Sequence, residues 1–299
     1  MTITLDWLGC ATFRLIVDDL VVFLDAYIDR VPTAPPVGMT TADVDRADFI
    51  LVGHSHFDHI AGAEIIAAKT GARIIGSNET CRVMRECGIT EPQLLPSQGG
   101  ERHRLAANVT VRVYPSQHAV LWTGGAPLAE ERLGDLGLCE DEKLARAVQH
   151  GAAALIGDEP DPERAAAFID HLRSATGSPR DGGPLVYLIE TPAGAIFFQD
   201  TSGCWSPILR SLRADVAILA VAARPNLDGE PFQGSMADFI SQEAEWLSAS
   251  SVVLGHHDNW TGMLGPDVPD TAPARQSLAR IAPAAKLIEP SYLAATPLL

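Results

Sequence analysis

Cysteines are few in this sequence, and their spacing matches no disulfide framework. The 299 residues contain five cysteines at scattered positions, and no two of them form a C-x-x-C pair. An odd number of scattered thiols is typical of a reducing compartment, because secreted domains that depend on disulfides use paired cysteines. We therefore expect free thiols and a cytoplasmic location.

The sequence also lacks the segments that direct a chain into or across a membrane. No apolar run approaches the ~18 residues that a membrane span needs. The first six residues contain no basic stretch followed by an apolar one. We therefore expect neither a signal peptide nor a stable membrane association.

Basic residues are scarce as well. Lysine and arginine number 22 against 38 aspartates and glutamates, which gives a formal net charge of −16. Such an acidic surface repels phosphate backbones, although bound divalent ions would make a site locally positive. We expect a small-molecule substrate and no nucleic-acid partner, and a homo-oligomer remains open.

Apolar residues and strand patterns are abundant by contrast. Apolar side chains make up 46% of the chain, which is enough for a sizeable core in one large domain, residues 1–299. Strand clusters and helices occur in both halves without strict alternation. This pattern favours an α/β fold in which two sheets pack face to face with helices outside.

One stretch is unusually rich in side chains that bind metals: His54-Ser55-His56-Phe57-Asp58-His59. It follows an apolar run, 48–53, and precedes a helical run, 60–69, so it is predicted to join a buried strand to a helix. Two histidines spaced two apart point to the same side of an extended chain. Imidazole and carboxylate bind zinc-like ions, and two-metal hydrolases hold their ions about 3.5–4 Å apart. The alternative is a polar loop at a helix start, with Asp58 as the N-cap.

The pattern H-x-H-x-D-H after an apolar strand resembles the signature of the metallo-β-lactamase fold superfamily. The resemblance implies a four-layer αβ/βα sandwich with the site at one sheet edge, and it covers roughly residues 1–120 and 185–265. Residues 7–13, with Asp25 after them, resemble the branch that includes L-ascorbate-6-phosphate lactonase and N-acylphosphatidylethanolamine-hydrolysing phospholipase D. The sequence departs from that branch at Cys10, where many relatives carry histidine.

The resemblance also implies a set of metal ligands. They are His54, His56 and His118 for a first ion, Asp58, His59 and His256 for a second ion, and Asp200 as the bridge between the two. A carboxylate that ends a buried apolar strand, as Asp200 does, is costly unless a charged partner meets it. Asp25 would orient the metal loop through hydrogen bonds, with a simple turn residue as the alternative.

This ligand set predicts hydrolysis. A metal lowers the pKa of a bound water to roughly 7, so a bridging hydroxide would attack a carbonyl carbon or phosphorus, with Asp58 orienting it or accepting its proton. We expect two divalent ions, zinc first with manganese or iron as alternatives, and a small ester, lactone, amide or phosphoester as substrate. The other hypotheses are a metal-binding sensor without turnover and an iron oxidoreductase, although di-iron members typically have Glu where His56 stands.

Further candidates lie near these ligands in the sequence. Five of them are predicted to line the substrate pocket: Gln117, Trp122, Gln199, Arg224 and Trp260. The adjacent pair His256 and His257 ends a strand, and on an extended strand their side chains point to opposite faces. The resemblance favours His256 as the ligand and leaves His257 to support the site, touch substrate or pack. A bend at Gly255 would reverse the assignment.

Residues 126–183 are predicted to be a helical insertion. They are rich in Ala, Glu, Leu and Arg, and they lack strand patterns. Helices are predicted over 140–149, with Gly151 as a stop, and over 164–175. Outside this segment, a last helix is predicted over 278–284. Because the insertion follows His118, we expect it to cover the metal site as a lid and to set substrate choice. The alternative is a peripheral helical hairpin.

Overall fold

The structure of the chain is a computed structural model. The structure describes residues 1–123, 135–156, 161–263 and 269–299, and for residues 150–156 it describes the backbone only. Parts of the predicted insertion, 126–134 and 157–160, therefore lie outside the described residues.

Strands and helices alternate irregularly along the described residues. The strands are β1 (Ile3–Trp7), β2 (Phe13–Val17), β3 (Leu20–Leu24), β4 (Phe49–Leu51), β5 (Arg73–Gly76), β6 (Leu94–Pro96), β7 (Arg102–Ala106), β8 (Val109–Pro115), β9 (Leu185–Thr191), β10 (Gly194–Phe198), β11 (Gly203–Cys204), β12 (Val216–Ala220), β13 (Asn226–Leu227), β14 (Glu230–Pro231), β15 (Ser251–Gly255), β16 (Lys286–Ile288) and β17 (Thr296–Pro297). The α-helices are α1 (Phe57–Ile60), α2 (Ala63–Thr70), α3 (Asn78–Glu86), α4 (Glu140–Ile156), α5 (Pro162–Ser174), α6 (Ser206–Ser211), α7 (Met236–Leu247) and α8 (Ala272–Ile281).

The strands form two large sheets that pack face to face. One seven-stranded sheet has the order β17-β1-β2-β3-β4-β5-β6, and the other has the order β16-β15-β12-β10-β9-β8-β7. The main core lies between them, and separate apolar clusters join each sheet to helices on its outer face. The predicted four-layer αβ/βα sandwich is confirmed. None of the described helices is both long and apolar enough to cross a membrane.

The sequence of β3 shows why four layers form. All five residues of this strand are apolar and buried. Val22 and Leu24 point into the core between the sheets, whereas Val21 and Phe23 point into the cluster shared with helices. Burying each such side chain contributes about 1.5–3 kcal/mol. A strand that is apolar on both faces therefore needs a sheet on one side and helices on the other.

The helix predicted directly after the metal motif is interrupted. The short helix α1 begins inside the motif, and α2 starts only at Ala63. Gly62, between them, has a φ of 97°, and a Cβ atom there would lie 2.6 Å from the carbonyl oxygen of Ala26. The continuous helix predicted over 60–69 is wrong because the chain has to turn past the loop that follows β3.

Two other predicted helix boundaries are also wrong. Gly151 does not stop α4, which continues to Ile156, because a glycine inside a helix costs only about 1 kcal/mol. The last helix was predicted over 278–284 but spans Ala272–Ile281. Its second residue is Pro273, which is compatible with the first turn of a helix because that turn needs no intrahelical N–H donor.

Candidate metal centre

The candidate ligands follow the carboxyl ends of strands at one edge of the sandwich. In the first sheet β3, β4 and β5 are parallel, and Asp25 directly follows β3 while the motif 54–59 follows β4. In the second sheet β10, β12 and β15 are parallel, and Asp200 and His256 follow β10 and β15. The strand β8 runs in the same direction as β10, because β9 is antiparallel to both, and His118 follows it. Loops from both sheets therefore supply side chains to one centre.

Three imidazoles form a first donor group: His54, His56 and His118. One donor atom of each lies within 4.8 Å of the other two, and His54 Nε2 lies 3.0 Å from His56 Nδ1. His118 Nδ1 donates to the carbonyl of Ala119 at 2.8 Å, which leaves its Nε2 for the group. Burial, and then the neighbouring rings, hold the pKa of His54 and His56 well below the ordinary value. These rings are therefore neutral, which is the form that binds a metal ion.

The side chains predicted for the second ion meet around Asp58 Oδ2. His256 Nε2 lies 3.2 Å from this oxygen, and His59 Nε2 lies 3.4 Å from it. Donor atoms bound at about 2.0–2.2 Å to one tetrahedral ion stand about 3.3–3.6 Å apart. Both distances from Asp58 Oδ2 match this spacing, so each of the two imidazoles is placed to share an ion with that carboxylate. His59 also belongs to a donor group with His54 and Asp200. Cys10, which the sequence did not predict as a ligand, also places its sulfur within 4.8 Å of donor atoms of Asp58 and His256.

Asp200 stands between the two groups. Its Oδ2 lies 2.6 Å from His54 Nδ1 and 3.3 Å from His59 Nδ1. Its Oδ1 is buried and has no hydrogen-bond partner among the described residues. An unpartnered buried carboxylate oxygen is costly, and a bound cation would compensate that cost. The position and the orphaned oxygen both suit a ligand shared by two ions.

Asp25 holds the metal loop at both ends. Its Oδ1 accepts a hydrogen bond from the N–H of Gly53 at 2.9 Å, and its Oδ2 lies 2.8 Å from His59 Nδ1. A carboxylate at Nδ1 fixes the tautomer in which Nε2 of the ring is left to face a metal. These two contacts orient the loop that carries the motif.

Negative charge accumulates in this centre. Burial alone would lower the pKa of His59, but the carboxylates of Asp58, Asp200 and Asp25 hold it well above the ordinary value. Burial raises the pKa of both Asp25 and Asp200. Three buried carboxylates beside the neutral imidazoles of His54, His56 and His118 attract a cation, and this mixture of donors is the one that zinc and related ions bind. The residues therefore fit divalent ions.

Gly53 allows Asp200 to approach the metal loop. A Cβ atom at position 53 would lie 2.1 Å from Asp200 Cγ, so Gly53→Ala is expected to displace that carboxylate. Overpacking costs about 1–3 kcal/mol, which corresponds to roughly a fivefold to 150-fold loss of metal affinity. Competition with a chromophoric chelator would measure the loss.

The matched control for that variant is Gly71→Ala. Gly71 has a φ of 79°, but a Cβ atom there would meet nothing within 4 Å. This variant should lower the free energy of unfolding by about 1–2 kcal/mol and leave metal affinity unchanged. Wild-type affinity in Gly53→Ala would show that Asp200 is not placed as described.

The two adjacent histidines after β15 face different surroundings. The ring of His257 stacks on Trp7, with centroids 4.8 Å apart and planes within 2°. His256 instead reaches Asp58, and Trp260 packs edge-on against its ring at 5.3 Å. The strand ends at Gly255, and His256 has a left-handed φ of 61°. The structure thus brings His256 to the centre and packs His257 away from it.

The remaining candidates have surroundings that the sequence did not indicate. Gln199 Nε2 donates at 2.8 Å to a buried glutamate of α7, so this amide faces the outer helix layer. The indole of Trp122 lies under Lys143, whose Nζ is 4.9 Å from the ring centroid. Arg224 is buried and Gln117 is partly buried. Their role in binding substrate stays a prediction.

The described end of the predicted insertion packs on the metal loop. His171 Nε2, on α5, lies 2.9 Å from the hydroxyl oxygen of Tyr27. The backbone N–H of Ser55 donates to the carbonyl of Asp181 at 2.8 Å, and the N–H of Ser178 donates to the carbonyl of Ser55 at 2.8 Å. This part of the segment therefore touches the loop between two candidate ligands. Whether the whole segment forms a lid stays a prediction.

Phe168 anchors α5 against the metal loop. It is 1% exposed, and its ring centroid lies 6.5 Å from that of Phe57. Phe168→Ala is expected to cost about 3–5 kcal/mol and to release α5, which hydrogen exchange would detect as lost protection. Metal content should stay unchanged, because α5 supplies none of the candidate ligands.

The control for this prediction is Leu172→Ala on the same helix. Leu172 is 39% exposed, so its truncation should leave both protection and metal content as in the wild type. If Phe168→Ala loses metal while the sheets remain folded, the segment is part of the metal centre and the interpretation as a cover is wrong.

Sequence comparison links part of the chain to known metalloproteins. Residues 21–152 match a family model described as a beta-lactamase superfamily domain. The chain is 32% identical over 147 residues to a UPF0173 metal-dependent hydrolase of Pyrobaculum neutrophilum, an alignment that covers 46% of this chain. It spans 64% of the length of that relative.

Solved structures share the fold at low sequence identity. Igni18, a metallo hydrolase from Ignicoccus hospitalis, matches over 97% of both chains with a TM-score of 0.60 and 16% identity. CmlA, a diiron beta-hydroxylase from Streptomyces venezuelae, matches with a TM-score of 0.55 and 15% identity over 98% of this chain and 53% of its own. At these identities the likeness establishes the fold alone.

Proposed function

We propose that this chain, which has the metallo-β-lactamase fold, is a metal-dependent hydrolase with two divalent ions in its active site. The main support is Asp200, whose buried Oδ1 has no partner among the described residues and lies between two groups of metal-binding side chains. The relative from Pyrobaculum neutrophilum is itself named a metal-dependent hydrolase. The opening strands favour the lactonase and phospholipase D-like branch within this fold.

The chain's own residues would position the reacting groups. Divalent ions bound at this centre would supply Lewis acidity and would lower the pKa of water to about 7. The side chain of Asp58 is 12% exposed, and its carboxylate would orient the attacking water or accept its proton. His59, which Asp25 holds through Nδ1, places its Nε2 3.4 Å from the Asp58 carboxylate and so helps to position it.

Aromatic side chains border the second donor group. Phe57 and Trp260 have ring centroids 6.2 Å apart, and Tyr27 packs edge-on against both rings. Such an aromatic surface is poorly solvated by water, which suits a small substrate with an apolar part next to its reacting bond. We propose an ester, lactone, amide or phosphoester as the substrate.

Metal reconstitution combined with a substrate panel tests this function. The protein would be stripped with a chelator, reloaded with Zn²⁺, Mn²⁺ or Fe²⁺, analysed for metal content and assayed on chromogenic esters, lactones and phosphodiesters. Two ions per chain with metal-dependent turnover support the proposal. About one ion per chain counts against a bridging Asp200. Two ions without turnover favour a sensor, and oxygen-dependent oxidation by the iron form favours an oxidoreductase.

We further propose a cytoplasmic enzyme that acts on small molecules and does not bind nucleic acid. The −16 net charge is the physical reason to expect no nucleic-acid binding, because an acidic surface repels phosphate backbones. A fluorescence anisotropy titration with labelled DNA and RNA at physiological salt is expected to show no binding at micromolar protein. Saturable micromolar binding would overturn this prediction.

A further inference from the structure

We propose that Cys10 binds, through its sulfur, the ion held by Asp58 and His256. The inference rests on the proposed function, because it assumes an ion at that position. Cys10 follows β1, Asp58 lies on α1 and His256 follows β15, so the three residues come from distant parts of the chain. One donor atom of each nevertheless lies within 4.8 Å of the other two. Cys10 Sγ also lies 3.5 Å from the backbone oxygen of Asp58.

Backbone hydrogen bonds hold Cys10 in this position. Its N–H donates to Asp258 Oδ1 at 3.0 Å, and its carbonyl accepts from the N–H of His256 at 2.7 Å and from the indole of Trp7 at 3.0 Å. Asp258 is in turn paired with the buried guanidinium of Arg30 at 2.5 Å. Because Cys10 and His256 are joined backbone to backbone, their side chains keep a fixed relation to one another.

Both of these residues have strained backbones. Cys10 has a φ of 47° and His256 has a φ of 61°, a region that disfavours any residue with a Cβ atom. A glycine precedes each of them, at positions 9 and 255, yet in each case the residue after the glycine is the one with the φ of 47° or 61°. Residues strained in this way cluster at functional sites, where the surrounding structure holds them. Here the two strained residues turn donor atoms toward the same carboxylate.

A packing role is the alternative for Cys10. The residue is fully buried, and it belongs to an apolar cluster with Tyr27, Val31, Phe168 and Trp260. A buried thiol in such a cluster behaves as a small apolar side chain. A packing residue would not need a sulfur atom at metal-binding distance, so spectroscopy of the bound metal separates the two roles. A thiolate ligand would also favour zinc, iron or cobalt over manganese, because manganese prefers oxygen ligands.

Cobalt substitution reports directly on a sulfur ligand. The Co²⁺-loaded wild type is expected to show a thiolate-to-cobalt charge-transfer band in the near ultraviolet, and Cys10→Ser is expected to lose it. The variant should also bind its second ion at least about a hundredfold more weakly, since even the loss of residues that only support a ligand costs 10–100-fold. Cys139→Ser is the matched control, because Cys139 lies with Asp141 and Glu142 in the other described donor group that contains sulfur. It should keep the band.

X-ray absorption of the zinc form needs no substitution at Cys10 and is therefore independent of how that variant folds. In the Cys139→Ser background we expect one sulfur scatterer at about 2.3 Å for every two zinc ions, together with nitrogen and oxygen at about 2.0–2.2 Å. Two bound ions with nitrogen and oxygen neighbours alone would overturn the role of Cys10 and leave the proposed hydrolase intact. Failure of the wild type to bind any divalent ion would overturn the proposed function and this inference together.

Discussion

Replacing Asp200 with alanine is expected to remove bound metal and hydrolytic activity together. Asp200 contacts His54 and His59, and its other oxygen has no partner among the described residues. Without this carboxylate, two clusters of donors lose the negative charge between them. Because metal ions contribute several kcal/mol to catalysis, the rate should fall by at least about 10³-fold. Elemental analysis after desalting, with turnover measured on the same sample, would show both losses.

Two variants serve as comparisons for Asp200→Ala. Asp200→Asn keeps the shape of the side chain but removes its charge, so it should also lose metal if charge is the reason. Asp215→Ala removes an aspartate at the opposite end of the same sheet, where its Oδ2 accepts from the N–H of Ala195 at 2.8 Å. This control should keep its metal. Two tightly bound ions in Asp200→Ala would contradict the bridging role.

The central part of the site was predictable because it is local in sequence. His54, His56, Asp58 and His59 lie in one loop after an apolar strand, so their grouping does not depend on the rest of the fold. The layers were predictable for a related reason. Strands that are apolar on both faces, as β3 is, have to be covered on both sides.

Other features depend on contacts that no local pattern shows. Tyr27 and His171 are hydrogen-bonded across 144 positions of sequence, and Cys10 and Asp258 across 248. Nothing in the residues around Cys10 distinguishes a ligand from a core thiol, because its neighbours in space, such as Asp58 and His256, are distant in the sequence. Some helix boundaries were predicted wrongly because a glycine in a helical run does not by itself show whether the helix stops there. Gly62 interrupts a helix, whereas Gly151 lies inside one, and the tertiary fold decides which of the two occurs.

The second large effect is expected at His256, and its neighbour His257 is the control. His256 Nε2 lies 3.2 Å from Asp58 Oδ2, so His256→Ala should lose the second ion and at least about 10³-fold in turnover. His257→Ala should keep both ions. It removes a ring stacked on Trp7, and such an aromatic pair is worth about 0.5–1.5 kcal/mol beyond its buried area. Its expected effect is therefore a modest loss of stability.

The measurement that decides between the two histidines is metal stoichiometry, with the free energy of unfolding determined for the same proteins. A backbone rotation at Gly255 is the structural change that would exchange their positions, since glycine permits angles that other residues avoid. The hydrogen bond from the N–H of His256 to the carbonyl of Cys10, at 2.7 Å, opposes that rotation. If His257→Ala loses an ion and His256→Ala keeps both, then this hydrogen bond does not hold in solution. In that case His257 is the residue that faces Asp58.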